Sequence, residues 1–293
     1  MQPSPSKTSG NLFAPLLYLL TGLAPFGVGN LLGGVAGYPL RGGVFFAGVL
    51  AVAALILVAG SNRLTYAPDA GRWPGLVLLA PERARTVAYG GVGLALVLGI
   101  ILQLGAATGD WTIPLGGLGI LGSYFYFAPP FKWHQRGWGE VVGGLCFGLL
   151  PVAAGLYLQM SHLLTEGLLY GLPLTFAGFN LFLIHGYPSP EAERPVPRHT
   201  LAARVGPVAG ALIFTIINIL IIFGLVVALL FPANPLPFRG GFILLIILAL
   251  VNQELVKRKF YLKEARIKLL CWLTLAQHLG MSLVFILSLC QRL

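Results

Sequence analysis

The sequence predicts an all-α integral membrane protein with nine transmembrane helices, and its composition and hydropathy pattern carry this prediction. Of the 293 residues, 57% are hydrophobic and only 10% are charged, and the mean hydropathy is +0.84. A soluble domain has about 25% charged residues, so this chain lacks the charge needed to cover a water-facing surface. With only three cysteines, a disulfide-rich secreted scaffold is excluded.

Nine apolar runs divide the chain, most of them close to the ~20 residues that a bilayer-spanning helix needs. By residue number they are 12–36, 43–60, 86–106, 113–127, 141–160, 168–185, 207–231, 238–256 and 267–289. The fourth run is short, and its aromatic ends are typical of membrane interfaces. We expect a polar N-terminus at residues 1–10 and a single nine-helix domain at residues 11–293.

The net charge of +10 is explained by membrane topology, because the basic residues lie in short loops between the apolar runs. Nine spans place sixteen Lys and Arg residues on one side and three, Arg41, Arg239 and Arg292, on the other. The positive-inside rule then predicts a cytoplasmic N-terminus and cytoplasmic loops after runs two, four, six and eight. We expect the polar chemistry on this face, with membrane lipids as neighbours and no nucleic-acid partner.

Two kinds of residue inside the runs predict contacts between helices. Glycine pairs four residues apart, such as Gly29/Gly33 and Gly144/Gly148, let helix backbones approach closely. His278, inside the ninth run, is interpreted as a helix–helix hydrogen-bonding residue, although a polar residue in a span also raises a functional hypothesis.

The connection between the fourth and fifth runs combines proline, basic and aromatic residues. A Pro-Pro pair at 129–130 ends the fourth run, Lys132 and Arg136 follow, and Glu140 lies at the start of the next helix, where negative charge is favourable. A charged turn at the membrane surface explains which residues are present in this stretch. Such a turn would not require the residues to stand in this particular order.

A second polar stretch, residues 180–206, joins the sixth and seventh runs. It places two carboxylates and three arginines beside the membrane, which suits an anionic group or a bound metal ion. The alternative is a positively charged loop stiffened by four prolines.

These two stretches and the nine-run pattern resemble the UbiA family of intramembrane prenyltransferases, most closely the menaquinone branch that prenylates 1,4-dihydroxy-2-naphthoate. In that branch a Pro-Pro segment is followed by Arg-Gly-x-Gly-Glu, Phe-Gly and Tyr-x-Gln, as at 129–130, 136–140, 147–148 and 157–159 here. The family's second motif ends in Asp-Arg-x-x-Gly-Lys-x-Thr-Leu-Ala-x-Arg-Leu-Gly. Residues 193–206 read Glu-Arg-Pro-Val-Pro-Arg-His-Thr-Leu-Ala-Ala-Arg-Val-Gly.

The resemblance implies a UbiA-type bundle that transfers an isoprenyl group from its diphosphate to an aromatic quinone precursor. In the family, two Asp-rich motifs hold Mg²⁺, which neutralises the diphosphate as the C–O bond ionises. The basic residues that the resemblance assigns to the diphosphate are Lys132, Arg136, Arg194 and Arg198, of which the first two are the catalytic candidates. The remaining candidates for the metal site are Asn62, Asp69, Glu191 and Glu193. Of these, Asn62 and Glu193 stand at family motif positions and Asp69 lies one residue from one.

The Asp-rich motifs are altered in this chain, so the sequence leaves open whether it is an enzyme. Where the family has aspartates in the first motif, this chain has Tyr66 and Ala70, and the second motif has Ser189. The alternative is a non-catalytic UbiA-like protein that binds a prenyl lipid, quinone or pigment, or a structural subunit of a membrane complex. The expected partners are a prenyl diphosphate and aromatic acceptor, or a prenyl lipid, with a possible membrane-complex partner. His185, which ends the sixth run, is placed to contact an acceptor or a headgroup.

Overall fold

The computed structural model of the protein describes residues 13–67, 81–188, 200–231 and 236–293. All regular secondary structure within these ranges is helical. The α-helices are α1 (Phe13–Val35), α2 (Gly42–Tyr66), α3 (Pro81–Ile100), α4 (Thr112–Phe125), α5 (Gly139–Phe147), α6 (Leu149–Met160), α7 (Glu166–His185), α8 (Leu201–Val205), α9 (Pro207–Leu230), α10 (Leu236–Lys257) and α11 (Glu264–Cys290).

Eight segments of the described chain are long and apolar enough to cross a membrane, and they correspond to eight of the nine predicted runs. The remaining run, α4, has 14 residues. A helix of that length covers about 21 Å, less than the ~30 Å hydrocarbon core of a bilayer. The predicted all-α membrane fold is confirmed, and the fourth run is short in the structure as it is in the sequence.

One predicted helix is broken in two. The run at 141–160 was expected to form a single helix, whereas α5 and α6 are separated at Gly148, which has φ −126° and ψ −95°. The Leu149 amide donates to Thr175 Oγ1 of α7 at 2.8 Å, and a Cβ on Gly148 would collide with the Thr175 backbone. The single-helix prediction was wrong. Pro151 cannot donate the helix hydrogen bond to the Phe147 carbonyl, and Gly148 has the backbone freedom to turn at this point.

Glycines bring helix backbones into direct contact, as the sequence predicts. A Cβ on Gly29 of α1 would lie 2.8 Å from the Leu156 amide nitrogen of α6. One on Gly144 of α5 would lie 2.7 Å from the Thr175 carbonyl oxygen of α7. Both distances are below the ~3.5 Å at which carbon atoms pack comfortably. Only glycine permits these crossings, and the prediction for these positions is confirmed.

Polar side chains inside the bundle bond to the backbone of neighbouring helices. His278 Nε2 of α11 donates to the Thr21 carbonyl of α1 at 3.0 Å, and Asn218 of α9 donates to the Ala249 carbonyl of α10 at 2.9 Å. In a bilayer such bonds help to hold helices together, because lipid removes the hydrophobic drive for association. The helix–helix role predicted for His278 is confirmed.

We expect Gly29→Ala to destabilise the protein, because the added methyl group would force α1 away from α6. Overpacking of this kind costs about 1–3 kcal/mol. The matched control is Gly90→Ala on α3, where a Cβ meets nothing within 4 Å. Thermal unfolding in detergent should show a lower Tm for Gly29→Ala alone. Equal Tm values for the two variants would contradict the close α1–α6 contact.

Candidate functional site

The two polar stretches of the sequence meet at one end of the bundle. Glu140 Oε1, at the start of α5, accepts a hydrogen bond from the Leu201 amide at the start of α8 at 2.9 Å. The Arg204 guanidinium donates to the Arg136 carbonyl. Thr200 Oγ1 donates to the Gly186 carbonyl at 2.7 Å. The end of the second stretch is thereby fastened to the first. We call this side of the molecule the Lys132 end.

The α4–α5 connection is a tight, aromatic-packed turn. Lys132 has a left-handed backbone (φ +46°), and a short 3₁₀ turn follows it. The Lys132 side chain is half-buried and that of Arg136 is exposed, with Arg136 Nη2 donating to the Pro130 carbonyl at 3.0 Å. The two predicted catalytic residues therefore lie on one turn, with their positive charges at the surface of the Lys132 end.

His134 holds this turn against Tyr126 and Phe127, which follow α4. Its Nδ1 donates to the Tyr126 carbonyl at 2.8 Å, and its ring packs against Phe127 with centroids 4.7 Å apart. Burial lowers the pKa of His134; the bond to the Tyr126 carbonyl opposes this shift, whereas the charge of Lys132 adds to it. His134 is therefore neutral at pH 7 and serves as a structural support for Lys132.

Of the predicted metal ligands, only Asn62 lies in the described residues. It is 1% exposed, and its Nδ2 donates to the Tyr124 carbonyl at 3.0 Å, which leaves Oδ1 as the oxygen available to a cation. The predicted positions outside the described residues are Asp69, Glu191, Glu193, Arg194 and Arg198. Within the described ranges, no group of three His, Cys, Asp or Glu side chains could hold a metal ion.

Tyr66, which replaces the family's first aspartate, has a packing role. The Arg85 guanidinium of α3 lies 6.0 Å from the centre of its ring, and Tyr66 packs against the cluster that contains Tyr126 and Phe127. A cation–π contact of this kind stabilises by about 0.5–1 kcal/mol at exposed sites. The position therefore joins α2 to α3 instead of supplying a carboxylate.

An apolar cavity of about 190 Å³ lies inside the bundle. Its walls are formed by α1 to α6 together with Phe182 of α7, and we refer to it as the channel. Tyr126 and Phe127 line the part of the channel next to the α4–α5 connection, and we call this part its mouth. Arg63, next to Asn62, also lines the channel, which places a positive charge where the channel meets the polar end.

A buried tyrosine–histidine pair lies beside the mouth. His185 Nδ1 donates to the Leu181 carbonyl at 2.8 Å, and in the neutral ring Nε2 then accepts from Tyr18 Oη at 2.6 Å. Tyr18 lines the channel and His185 lies behind it. The sequence pointed to His185 as a site residue only through its position at the end of the sixth run. Tyr18 and Arg63 were missed, since only packing brings α1 and α2 to this mouth.

The family's Tyr-x-Gln motif lies at the opposite end of the bundle. Tyr157 Oη accepts from the Trp111 amide at 3.0 Å, and Gln159 Oε1 accepts from the Arg41 amide at 2.9 Å. Gln159 Nε2 also donates to Asn30 Oδ1 at 2.7 Å. In this chain the motif fastens connecting loops, so its role is structural.

Comparison with known proteins decides the family. The model of the UbiA prenyltransferase family matches residues 69–275, which is 207 of the 293 residues. The chain belongs to the UbiA prenyltransferase family. The resemblance seen in the two polar stretches is confirmed, and the protein is an integral membrane protein.

Solved structures show the same fold in this UbiA member. The apo structure of a UbiA homologue from Aeropyrum pernix K1 superposes with a TM-score of 0.65 at 12% identity, covering 94% of this chain and 98% of that one. A UbiA homologue from Archaeoglobus fulgidus bound to GPP and Mg²⁺ gives a TM-score of 0.59 at 14% identity, covering 93% and 97%. At these identities the likeness concerns the fold.

One curated relative is similar to part of this chain. The 1,4-dihydroxy-2-naphthoate octaprenyltransferase of Bacillus subtilis (strain 168) is 24% identical to this UbiA member over 129 residues. The match spans 44% of this chain and 40% of the length of that relative. It accords with the similarity noted above to the naphthoate-prenylating branch.

We expect the stability of the protein to fall as the pH is lowered from 7 towards 5, in part because of His134. Its pKa is lowered in the fold, while the unfolded chain binds the proton near pH 6.5. Protonation of the unfolded chain therefore shifts the folding equilibrium towards the unfolded state as the pH falls below that value. His134→Asn keeps a donor near the position of Nδ1 and removes the titration, so its Tm should depend less on pH over this range.

The control for that measurement is His162→Asn, since His162 is exposed and lies on the α6–α7 connection. It should retain the wild-type pH dependence. If His134→Asn and wild type lose stability in parallel between pH 7 and 5, the buried neutral histidine is not what links this turn to pH.

Proposed function

We propose that this protein transfers an isoprenyl group from a prenyl diphosphate to an aromatic quinone precursor. One observation carries the proposal, namely that the two polar stretches join at the end of the bundle where Tyr126 and Phe127 line an apolar cavity. A charged headgroup fits the first feature and a hydrocarbon chain fits the second. A prenyl diphosphate combines both in one molecule.

The described basic groups are suited to stabilise a diphosphate leaving group. The diphosphate departs with both electrons of the C–O bond and so gains negative charge. Lys132 and Arg136 lie on the turn above the mouth, and Arg63 lies in the wall below it. Fixed positive charge placed where negative charge develops lowers the barrier to C–O cleavage. We assign Arg194 and Arg198, on the chain that leads into α8, to the same anion.

Aromatic rings surround the place where the cleaved carbon would lie. Tyr126 and Phe182 pack edge to face with centroids 5.5 Å apart, and Phe147 packs against Phe182 at 5.3 Å. The faces of such rings attract positive charge and exclude water. They would favour attack by an aromatic acceptor over attack by water on the allylic carbon.

The metal is assigned by residue type alone. Asn62 Oδ1 would be one Mg²⁺ ligand, with Asp69, Glu191 and Glu193 as the further oxygen donors that this cation prefers. When bound, Mg²⁺ would neutralise the diphosphate. The described donors do not by themselves form a metal cluster.

The orientation in the membrane follows from charge. We place the Lys132 end and the N-terminus in the cytoplasm, because most of the Lys and Arg residues of the chain fall on that side. The diphosphate would then reach the site from the cytoplasm, while the prenyl chain enters the bundle.

We expect purified protein in detergent to bind geranylgeranyl diphosphate in a Mg²⁺-dependent manner and to prenylate 1,4-dihydroxy-2-naphthoate. Arg136→Ala should weaken binding roughly tenfold or more, since a charged hydrogen bond contributes about 1.5–3 kcal/mol. Titration calorimetry with Mg²⁺ and with EDTA measures the binding, and mass spectrometry detects the product.

The matched control is Arg258→Ala, an exposed arginine that pairs with Glu254 on α10. It should bind as wild type does. Weak binding that ignores both Mg²⁺ and Arg136→Ala, together with no prenylated product, would contradict the proposed activity and favour a lipid-binding role.

A further inference from the structure

The connection between α10 and α11 carries a concentration of positive charge that the proposed reaction does not use. Residues 257–268 contain six of the 19 Lys and Arg residues of the chain but only one acidic residue, Glu264. The positive-inside rule explains the sign of this charge. It does not explain why six bases lie within twelve residues.

Two of these six bases are paired with carboxylates of their own helices. Arg258 Nε donates to Glu254 Oε1 at 2.8 Å, and Lys268 Nζ lies 3.9 Å from Glu264 Oε1. The other four are exposed, and in the part of the chain that the structure describes none of them forms an ion pair. We call these four residues the basic patch, namely Lys257, Lys259, Lys263 and Arg266.

The turns of this connection hold the four charges close together. The Lys259 amide donates to the Val256 carbonyl at 2.9 Å, and the Leu262 amide donates to the Lys259 carbonyl at 3.0 Å. Lys263 is the N-cap of α11, where the helix dipole disfavours positive charge. Like charges held together also repel one another. Folding stability therefore does not account for the basic patch, and a bound anion would relieve both effects.

The basic patch lies at the Lys132 end of the molecule. Tyr261, within the connection, is 5% exposed, and its ring packs against that of Tyr187 with centroids 5.4 Å apart. Tyr187 follows Gly186, whose carbonyl accepts the hydrogen bond from Thr200 described above. The basic patch and the turn between α4 and α5 therefore face the same side of the membrane.

Exposed apolar side chains border the basic patch. Leu262 is 47% exposed, and Leu269 and Trp272 of α11 are 45% and 48% exposed. Both α10 and α11 are long and apolar enough to span a membrane, and only residues 258–263 separate them. The basic patch therefore lies at the membrane surface, with apolar side chains on α11 leading from it into the bilayer.

We propose that the basic patch binds the headgroup of an anionic phospholipid. Clusters of about four to eight basic residues beside a transmembrane helix attract anionic lipids. The phosphate of such a lipid would lie among the four cations, while its acyl chains pack along Leu269 and Trp272. The basic patch would repel the positive choline group of a zwitterionic lipid. The site is independent of the proposed reaction, because it uses none of the residues assigned to that reaction.

Native mass spectrometry of the full chain in detergent tests the proposal, with phosphatidylglycerol and phosphatidylcholine of identical acyl chains as the probes. Wild type should bind phosphatidylglycerol roughly tenfold more tightly or better, because the two lipids differ in headgroup charge. Raising ammonium acetate from about 0.1 M to about 0.5 M should reduce this preference, since salt screens exposed charges.

Lys259→Gln/Lys263→Gln should weaken phosphatidylglycerol binding about twentyfold, since each basic residue at an anionic surface contributes about fivefold. Lys259→Arg/Lys263→Arg keeps the charge and should bind as wild type does. The matched control is Arg83→Gln/Arg85→Gln, which removes two exposed bases from the start of α3. This control should retain the wild-type affinity.

Equal affinity for the two lipids in wild type would overturn the proposal, as would equal losses in the two double glutamine variants. Displacement of phosphatidylglycerol by inorganic phosphate at constant ionic strength would show that the basic patch binds free anions, and would overturn the lipid assignment. Binding of phosphatidylglycerol at the basic patch without any prenylated product would support this proposal and contradict only the proposed reaction.

Discussion

The direct contact between the backbones of α1 and α6 is the constraint on which the rest of the structure depends. It exists because Gly29 and Gly155 have no side chain where each helix meets the other's backbone. With α1 held this close, Tyr18 and Phe26 line the channel. A wider separation of the two helices would remove this wall.

The polar end is built by a second set of contacts that depends on different residues. Glu140 holds the start of α8, and Arg204 bonds the backbone of the turn that carries Lys132 and Arg136. Positive charge is therefore concentrated at one end of an apolar channel. A prenyl diphosphate is complementary, because it has a negative headgroup at one end and an apolar chain beyond it. The rigid bundle supplies the apolar part of the site, and the loops supply the charged part.

Hydropathy predicted nearly all of the fold, because a bilayer requires long apolar helices and the charge sorting restricts how they are connected. The break at Gly148 was not predicted from hydropathy, although Pro151 removes a helix hydrogen bond at this point. Motif order pointed to the turn around Lys132, yet the same resemblance includes Tyr157, which lies at the opposite end. Tyr18 was missed because no local pattern shows which face of α1 meets the channel.

The central claim is that a prenyl diphosphate binds with its headgroup at the Lys132 end and its chain along the channel. Photoaffinity labelling tests this most directly, with geranylgeranyl diphosphate that carries a diazirine at the far end of the chain. Mass spectrometry should locate the label on peptides containing Phe26, Leu102 or Leu158, and unlabelled donor should compete. Labelling confined to lipid-exposed residues such as Phe223 on α9, without competition, would contradict the account.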